Sequence, residues 1–325
     1  MTFAVLGLGA TGSGIVQQLL AFPDQVASGS VRVDDIDPSR VEQVLAAQPG
    51  AAALAHSDNA EVVILAMPGG LHVDAARRAL VRGAHVVSAS DHPEDVAGLL
   101  ELDDLARDGG RALVVGAGFA PGLTCLLARH AGNALDQVEE LSIAKAGTGG
   151  PACARQHHLA LKHVGHEWQG GSWLLRRGGS GRELTWFPDP LGAHDCYKGW
   201  LSEPELLLRV YPEALRITAR MAATRRDRLT SRLPMLRRPH ADGGPGGVRV
   251  EVRGRRGRSI ETIVYGVMLP PSFAAACVAA EAANYVARCD PAPGAWGLGE
   301  LAEPLELLLR LRDRGVVAST YESSR

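Results

Sequence analysis

The sequence predicts an α/β protein that opens with a doubly wound parallel sheet. Three observations predict it. The short apolar run Thr2–Leu6 leads through a glycine-rich turn into an amphipathic helical pattern; a second run, Val31-Arg32-Val33, ends in Asp34 and Asp35; and strand-like runs then alternate with helical patterns as far as Val115. Strands and helices alternating at this rhythm need parallel pairing and right-handed crossovers.

After the first run, Gly7, Gly9 and Gly12 stand at GxGxxG spacing, with Ala10 and Thr11 before the last, and Ile15, Val16, Leu19 and Leu20 recur with helical period. Only glycine bends the chain this sharply and lets a pyrophosphate approach the main-chain N–H groups, to which the helix N-terminus adds its own donors and partial positive charge. Asp35 follows at the ~20-residue interval at which a carboxylate meets the adenosine ribose. An acidic group there accepts from both ribose hydroxyls and repels a 2′-phosphate, so NAD is the expected cofactor, with Ile36 beside it. Arg40, one helical turn on, is placed to cover a 2′-phosphate or stack on adenine, which keeps NADP open.

The next elements follow in order. Glu61–Ala66 reads as a buried strand closed by Met67-Pro68-Gly69-Gly70; Leu71–Arg82 is a helix ended by Gly83; and Ala84–Ser88 is a strand. Asp91 and Pro93 start a further helix, which Gly109-Gly110 stops before the strand Arg111–Val115. In such a sheet ligands bind outside the carboxyl ends of the strands. The loops Ala66–Gly70, Ser88–His92 and Gly116–Gly122 are therefore expected to face the cofactor, through Ala66, Met67, Pro68, Ser88, Gly118 and Phe119.

At 325 residues there is room for two domains, and the 46% hydrophobic content provides a substantial core. The formal net charge of -2 suggests neither nucleic acid nor an anionic membrane as partner. No apolar run approaches the ~18 residues of a membrane span, and no basic segment precedes the first one, so no signal peptide is expected. The five cysteines are scattered and odd in number, as reduced thiols of a cytoplasmic protein would be.

Ser88-Ala89-Ser90-Asp91, then Leu105-Ala106-Arg107, then Gly116-Ala117-Gly118-Phe119-Ala120-Pro121-Gly122-Leu123-Thr124 resemble the saccharopine dehydrogenase-like family. The resemblance covers most of the chain, and the Gly-Phe-Ala-Pro-Gly turn is its most specific part. It implies a Rossmann-type dinucleotide domain over 1–122, an inserted α+β mixed-sheet substrate and dimerisation domain over 123–270, and a helical segment, 271–325, returning to the first domain. It also implies a nicotinamide cofactor, oxidation or formation of a C–N bond in an amino acid or polyamine, and a homodimer.

Beyond Thr124 a helix to about Ala134 and a strand, Glu139–Ala146, precede the loop Gly147–Pro151. That loop opens a helix bearing Cys153, His157, His158 and Lys162. His163 and His166 extend the cluster, and His194-Asp195-Cys196-Tyr197-Lys198 follow. Acid/base chemistry at the working pH suits histidine, so His157, His158 or Asp195 would move the proton while Lys145 or Lys162 holds a substrate carboxylate. Cys153 and His157, four apart, share a helix face and form a metal alternative, but neither CxxC nor HExxH is present and no metal is expected. A solvated polar face is the third reading. The chain has only three lysines, Lys145, Lys162 and Lys198, all in this region.

From Arg209 to Arg258 arginine is frequent, with pairs at Arg225-Arg226 and Arg237-Arg238 and a cluster at Arg253, Arg255, Arg256 and Arg258. Scarce aromatics and the acidic total disfavour nucleic acid, and solvated helix faces would account for most of these arginines. Ala241–Gly247 reads as a glycine-rich loop or lid. Val248–Val252 and Ser259–Leu269 read as a hairpin, and Ser272 caps an alanine-rich helix to about Arg288. Pro304–Arg314 is the last helix.

The expected function is NAD(P)-dependent hydride transfer at a C–N bond of an amino-acid-like or polyamine-like small molecule. The alternatives are a homoserine dehydrogenase-like enzyme acting on an aldehyde or ketone, and a protein that senses NAD(H) without turnover. A sugar dehydrogenase is disfavoured, because Ser90-Asp91-His92-Pro93 stands where a Glu-Lys-Pro signature would.

Overall fold

A computed structural model describes residues 1–22, 30–55, 59–235 and 239–321. The chain begins with β1 (Thr2–Leu6), α1 (Ala10–Ala21), β2 (Ser30–Asp34), α2 (Pro38–Ala47), β3 (Ala51–Ala53), β4 (Val62–Leu65), α3 (His72–Val81), β5 (His85–Ser88), α4 (Pro93–Leu100), α5 (Asp103–Asp108) and β6 (Ala112–Val115). Next come α6 (Leu123–Gly132), β7 (Gln137–Ala146), α7 (Pro151–Lys162), β8 (Val164–Gln169), β9 (Ser172–Arg177), β10 (Glu183–Trp186) and β11 (Ala193–Lys198). These lead to α8 (Glu203–Val210), β12 (Arg216–Ala222), α9 (Arg225–Thr230), β13 (Gly247–Arg256) and β14 (Ser259–Met268). The chain closes with α10 (Pro271–Cys289), β15 (Gly294–Gly297), a 3₁₀ turn (Leu298–Glu300), α11 (Leu305–Asp313) and β16 (Ser319–Thr320).

These elements form two units, Met1–Gly122 with Ser272–Leu298, and Leu123–Pro271 with Gly299–Arg325. The first is built on seven strands in the order β15-β6-β5-β4-β1-β2-β3, every pair parallel. β4, β5 and β6 are buried along their whole length, which is why they read as unbroken apolar runs: helices cover both faces of such a sheet. α1 buries Ile15, Val16 and Leu19. The small residues of α10 let it approach α1 closely, since a Cβ on Gly14 would stand 2.8 Å from that of Ala276.

The second unit carries a mixed sheet in the order β10-β11-β12-β7-β13-β14-β16, with β8 added to β12 and β9 to β8. β7 and β12 pair in parallel and the other pairs are antiparallel. The chain's end departs from the expected 271–325 segment. β15 joins the first sheet beside β6, but β16 pairs with β14 in the second.

The arginine-rich stretch is also reassigned. Arg216 and Arg220 lie on β12, and Arg249, Arg253, Arg255 and Arg256 on β13; these positions are sheet, not helix, and they meet acids on strands of the same sheet. Arg255 pairs with Glu139 at 2.7 Å, Arg253 with Glu140 at 3.1 Å and Arg220 with Glu183 at 2.8 Å. The strands β8 to β11 are not read from the sequence, and Arg237 and Arg238 lie outside the described residues. Among the described residues, no helix is long and apolar enough to cross a membrane.

Candidate active site

In the first unit the strand order reverses direction at β1, whose neighbours are β2 and β4. This is where ligands settle in doubly wound sheets. Gly7 takes φ 93°, and a Cβ on it would stand 2.8 Å from the Ala66 carbonyl oxygen, while one on Gly12 would overlap the carbonyl of Gly7. The protein's own packing therefore requires these two glycines. Gly9 differs: its φ of -71° suits any residue, and nothing lies within 4 Å of the place its Cβ would take.

Gly9 is the N-cap of α1, no side chain caps that helix, and its first turn holds no acidic residue. Its first-turn N–H groups, on Ala10, Thr11 and Gly12, lack intrahelical acceptors and form an anion-binding end that an absent side chain leaves open. Asp35 flanks it. The Leu8 N–H donates to Asp35 Oδ2 (2.6 Å) and the Asp37 N–H to Oδ1 (2.9 Å), while Arg40 Nη1 stands 3.6 Å from Oδ2. Ile36 is exposed beside them. A carboxylate suited to ribose hydroxyls and a guanidinium suited to a 2′-phosphate thus share one place, and these residues fit a dinucleotide.

The loops after β4 and β5 are joined by His72, which the sequence reading does not single out. Its ring is fully buried, with Nδ1 2.9 Å from Ser88 Oγ and Nε2 2.9 Å from the Met67 carbonyl oxygen. The carbonyl can only accept, so Nε2 carries the proton and Nδ1 accepts from the Ser88 hydroxyl. Burial pushes the imidazole pKa down, outweighing the opposing pull of the Met67 carbonyl and Asp95. Asp95, also buried, accepts from the Ser90 hydroxyl (2.7 Å) and the Gly70 N–H (2.9 Å). Ser88 is consequently a brace: its hydroxyl is committed to His72, and its carbonyl accepts from the Ala117 N–H at 2.6 Å. Ala66 and Met67 are half-buried and Pro68 exposed. The Gly118 N–H donates to the Pro121 carbonyl (3.0 Å), and Phe119 is buried.

The second unit holds a cavity of about 720 Å³. His157 and His158 reach it from α7, His194 and Asp195 from β11, and Thr224 and Asp227 from the start of α9. Pro151 at the first turn, after Gly150 with φ 126°, sets the start of α7. Thr224 and Asp227 close a capping box, with the Thr224 hydroxyl donating to Asp227 Oδ2 at 2.7 Å. His158 Nε2 donates to the Leu233 carbonyl (2.8 Å), His194 Nε2 to that of Leu191 (3.2 Å), and Asp195 pairs with Arg182 at 2.9 Å. His157 bonds to the Ala222 carbonyl; burial, and next the Lys145 ammonium, bring its pKa down to about 4.

Of the five residues expected to carry the chemistry, His157, His158 and Asp195 therefore meet in one cavity. Lys145 is buried on β7 and acts on His157 through its charge. Lys162 is not among the residues that line the cavity: it lies five residues after His157, about 140° round the helix, and is exposed. Lys198 is paired with Glu167, which also binds Arg176 at 2.5 Å. No group of three or more His, Cys, Asp or Glu side chains that could hold a metal ion is found among the described residues.

The depressed His157 pKa has a thermodynamic consequence. An unfolded histidine protonates near its ordinary 6.5, whereas folded His157 does so only at about 4. Between those values the unfolded chain binds more protons, so stability falls as the pH drops through this window, by about 3 kcal/mol at most from this group. Denaturant melts across the window should show this slope, and His157→Gln should flatten it.

No protein-family model matches the chain, and no curated protein matches it in sequence. Solved structures do match its fold. Apo saccharopine dehydrogenase (L-Glu forming) from Saccharomyces cerevisiae aligns with a TM-score of 0.69 at 14% identity, covering 99% of this chain and 100% of that one. An amine dehydrogenase from Mycobacterium smegmatis aligns at 0.53 and 13% identity over 91% and 94% of the two chains. The C. glutamicum DAP dehydrogenase in complex with DAP aligns at 0.50 and 16% identity over 97% and 99%. At these identities the likeness is one of fold.

Proposed function

We propose that the protein is an NAD-dependent oxidoreductase that interconverts an amine and an imine in an amino-acid-like or polyamine-like small molecule. The observation that carries this reading is the cradle at Gly9, where the uncapped start of α1 leaves room for a pyrophosphate beside the Asp35 carboxylate. The solved structures of like fold, an amine dehydrogenase and two amino-acid dehydrogenases by name, support the choice of a C–N bond. When bound, the nicotinamide ring accepts or returns the hydride.

His157 supplies the proton acceptor. Its N–H is engaged by the Ala222 carbonyl, and with a pKa of about 4 the ring is neutral at neutral pH, leaving the second nitrogen a lone pair. It is thus in the state needed for oxidation, in which the substrate carbon loses a hydride, its nitrogen loses a proton, and a C=N bond forms. Imine reduction with His157 as acid needs acidic conditions. His72 and Asp95 hold the two strand-end loops without moving a proton to substrate. A homodimer of the reduced protein completes the reading; burial raises the Cys196 thiol to about 11, in keeping with an inert thiol at that position.

Titration of wild type and Asp35→Ala with NADH and NADPH, followed by nicotinamide fluorescence, tests the cofactor assignment. Wild type should prefer NADH. Asp35→Ala should weaken NADH binding about tenfold or more, by loss of charge-assisted hydrogen bonds, and improve NADPH relative to NADH because Arg40 loses its 3.6 Å partner. A wild-type preference for NADPH would overturn the role of Asp35 in favour of Arg40. Binding of neither would overturn the whole reading.

A further inference from the structure

The second-unit cavity has two kinds of wall. Its ionisable side chains already make hydrogen bonds or ion pairs inside the protein: His157 with Ala222, His158 with Leu233, His194 with Leu191, Asp195 with Arg182 and Asp227 with Thr224. The rest of the lining includes the hydrocarbon of Leu161, Leu184, Leu191, Met235 and Pro245. Leu184 lies directly across from Asp195 in the antiparallel β10–β11 pair, and Trp186 across from Ala193. Leu184 and Trp186 therefore share the face on which Asp195 and Ala193 reach the cavity. They are 57% and 60% exposed, so this face presents two large apolar side chains to water.

We infer that the group a substrate carries into this cavity is hydrocarbon, so that the enzyme acts on amines or amino acids with aliphatic or aromatic side chains, not on those ending in a second charged group. The inference rests on the proposed C–N chemistry for the identity of the polar end. A charged side-chain terminus entering the cavity would lose its water against the hydrocarbon of Leu161, Leu184, Leu191, Met235 and Pro245. An apolar one would cover Leu184 and its neighbours and gain from leaving water. The remaining lone pair of the neutral His157 imidazole serves the amine end.

Oxidation of L-leucine, L-phenylalanine and 3-methylbutylamine is to be compared with that of L-lysine and L-glutamate under NAD, in wild type and Leu184→Gln. Because Leu184 is exposed, this variant should keep its melting temperature and its NADH affinity. The hydrocarbon substrates should exceed the charged ones at least about tenfold in kcat/KM, and Leu184→Gln should raise KM for them about tenfold, the scale of one partly covered leucine side chain. Preference for L-lysine or L-glutamate, or an equal effect of Leu184→Gln on every substrate, would overturn the inference. If nothing is turned over while NADH binds, the C–N chemistry fails. Ligand-observed NMR of 3-methylbutylamine then decides: binding that Leu184→Gln weakens about tenfold upholds a hydrocarbon site, and equal or absent binding overturns it.

Discussion

Gly9→Ala should cut NADH affinity by about 10- to 100-fold while leaving the fold as stable as before. Alanine at this position keeps an ordinary φ, and its methyl meets nothing within 4 Å; stability should even gain slightly from the less flexible unfolded chain. The methyl stands beside the uncapped first turn of α1, in the space through which a pyrophosphate must come to reach the N–H groups. Gly12→Ala is the contrasting variant. There the methyl collides with the Gly7 carbonyl inside the protein, so stability and binding should fall together. Melting curves and NADH titrations on the two variants separate a glycine kept for a ligand from one kept for packing. Unaltered NADH binding in Gly9→Ala would mean that no phosphate sits at this helix.

His157→Ala should lower kcat for the oxidised substrate by about 10²- to 10⁴-fold, the usual contribution of one acid/base group, with NADH affinity unchanged. His158→Ala should cost less, because its Nε2 already serves the Leu233 carbonyl. The pH dependence supplies the sign. With His157 neutral above about 4, kcat should stay level through neutral pH on account of this group and fall as the solution approaches that value. Lys145→Met, which removes the neighbouring positive charge, should move that limb upward. A His157→Ala enzyme with undiminished kcat would remove His157 from the chemistry and leave His158 or Asp195 to be tested.

Much of the first unit is legible from residues because its rules are local. The glycine turn, the strands that became β1, β2, β4, β5 and β6, and the helices between them are marked by apolar runs and glycine or proline punctuation, although α4 and α5 read as one helix from Pro93 to Gly109 and are two. β3 is not, since three alanines carry no strand signal and are drawn into the sheet by Val31–Val33 alone. The arginines of β12 and β13 suggest helix faces because cross-strand acids such as Glu139 and Glu140 lie far away in sequence. The same limit hides half of the candidate site. His157, His158 and Asp195 stand out by residue type, but Lys162 is separable from them only by its angle round α7, and Asp195 shows its commitment only once Arg182 is seen beside it. His72 looks like one histidine in an ordinary helix; its role appears when β4 and β5 bring Met67 and Ser88 to either side of its ring.

The most direct measurement follows the hydride itself. Amines and amino acids deuterated at the carbon bearing nitrogen are incubated with the protein and NAD, and the nicotinamide product is analysed by mass spectrometry. The expected result is a reduced nicotinamide carrying one deuterium, formed by wild type and nearly lost in His157→Ala. Reduced nicotinamide that never carries the label, or none at all from a protein that binds NADH tightly, would contradict hydride transfer at a C–N bond; the second outcome would leave a protein that senses the cofactor.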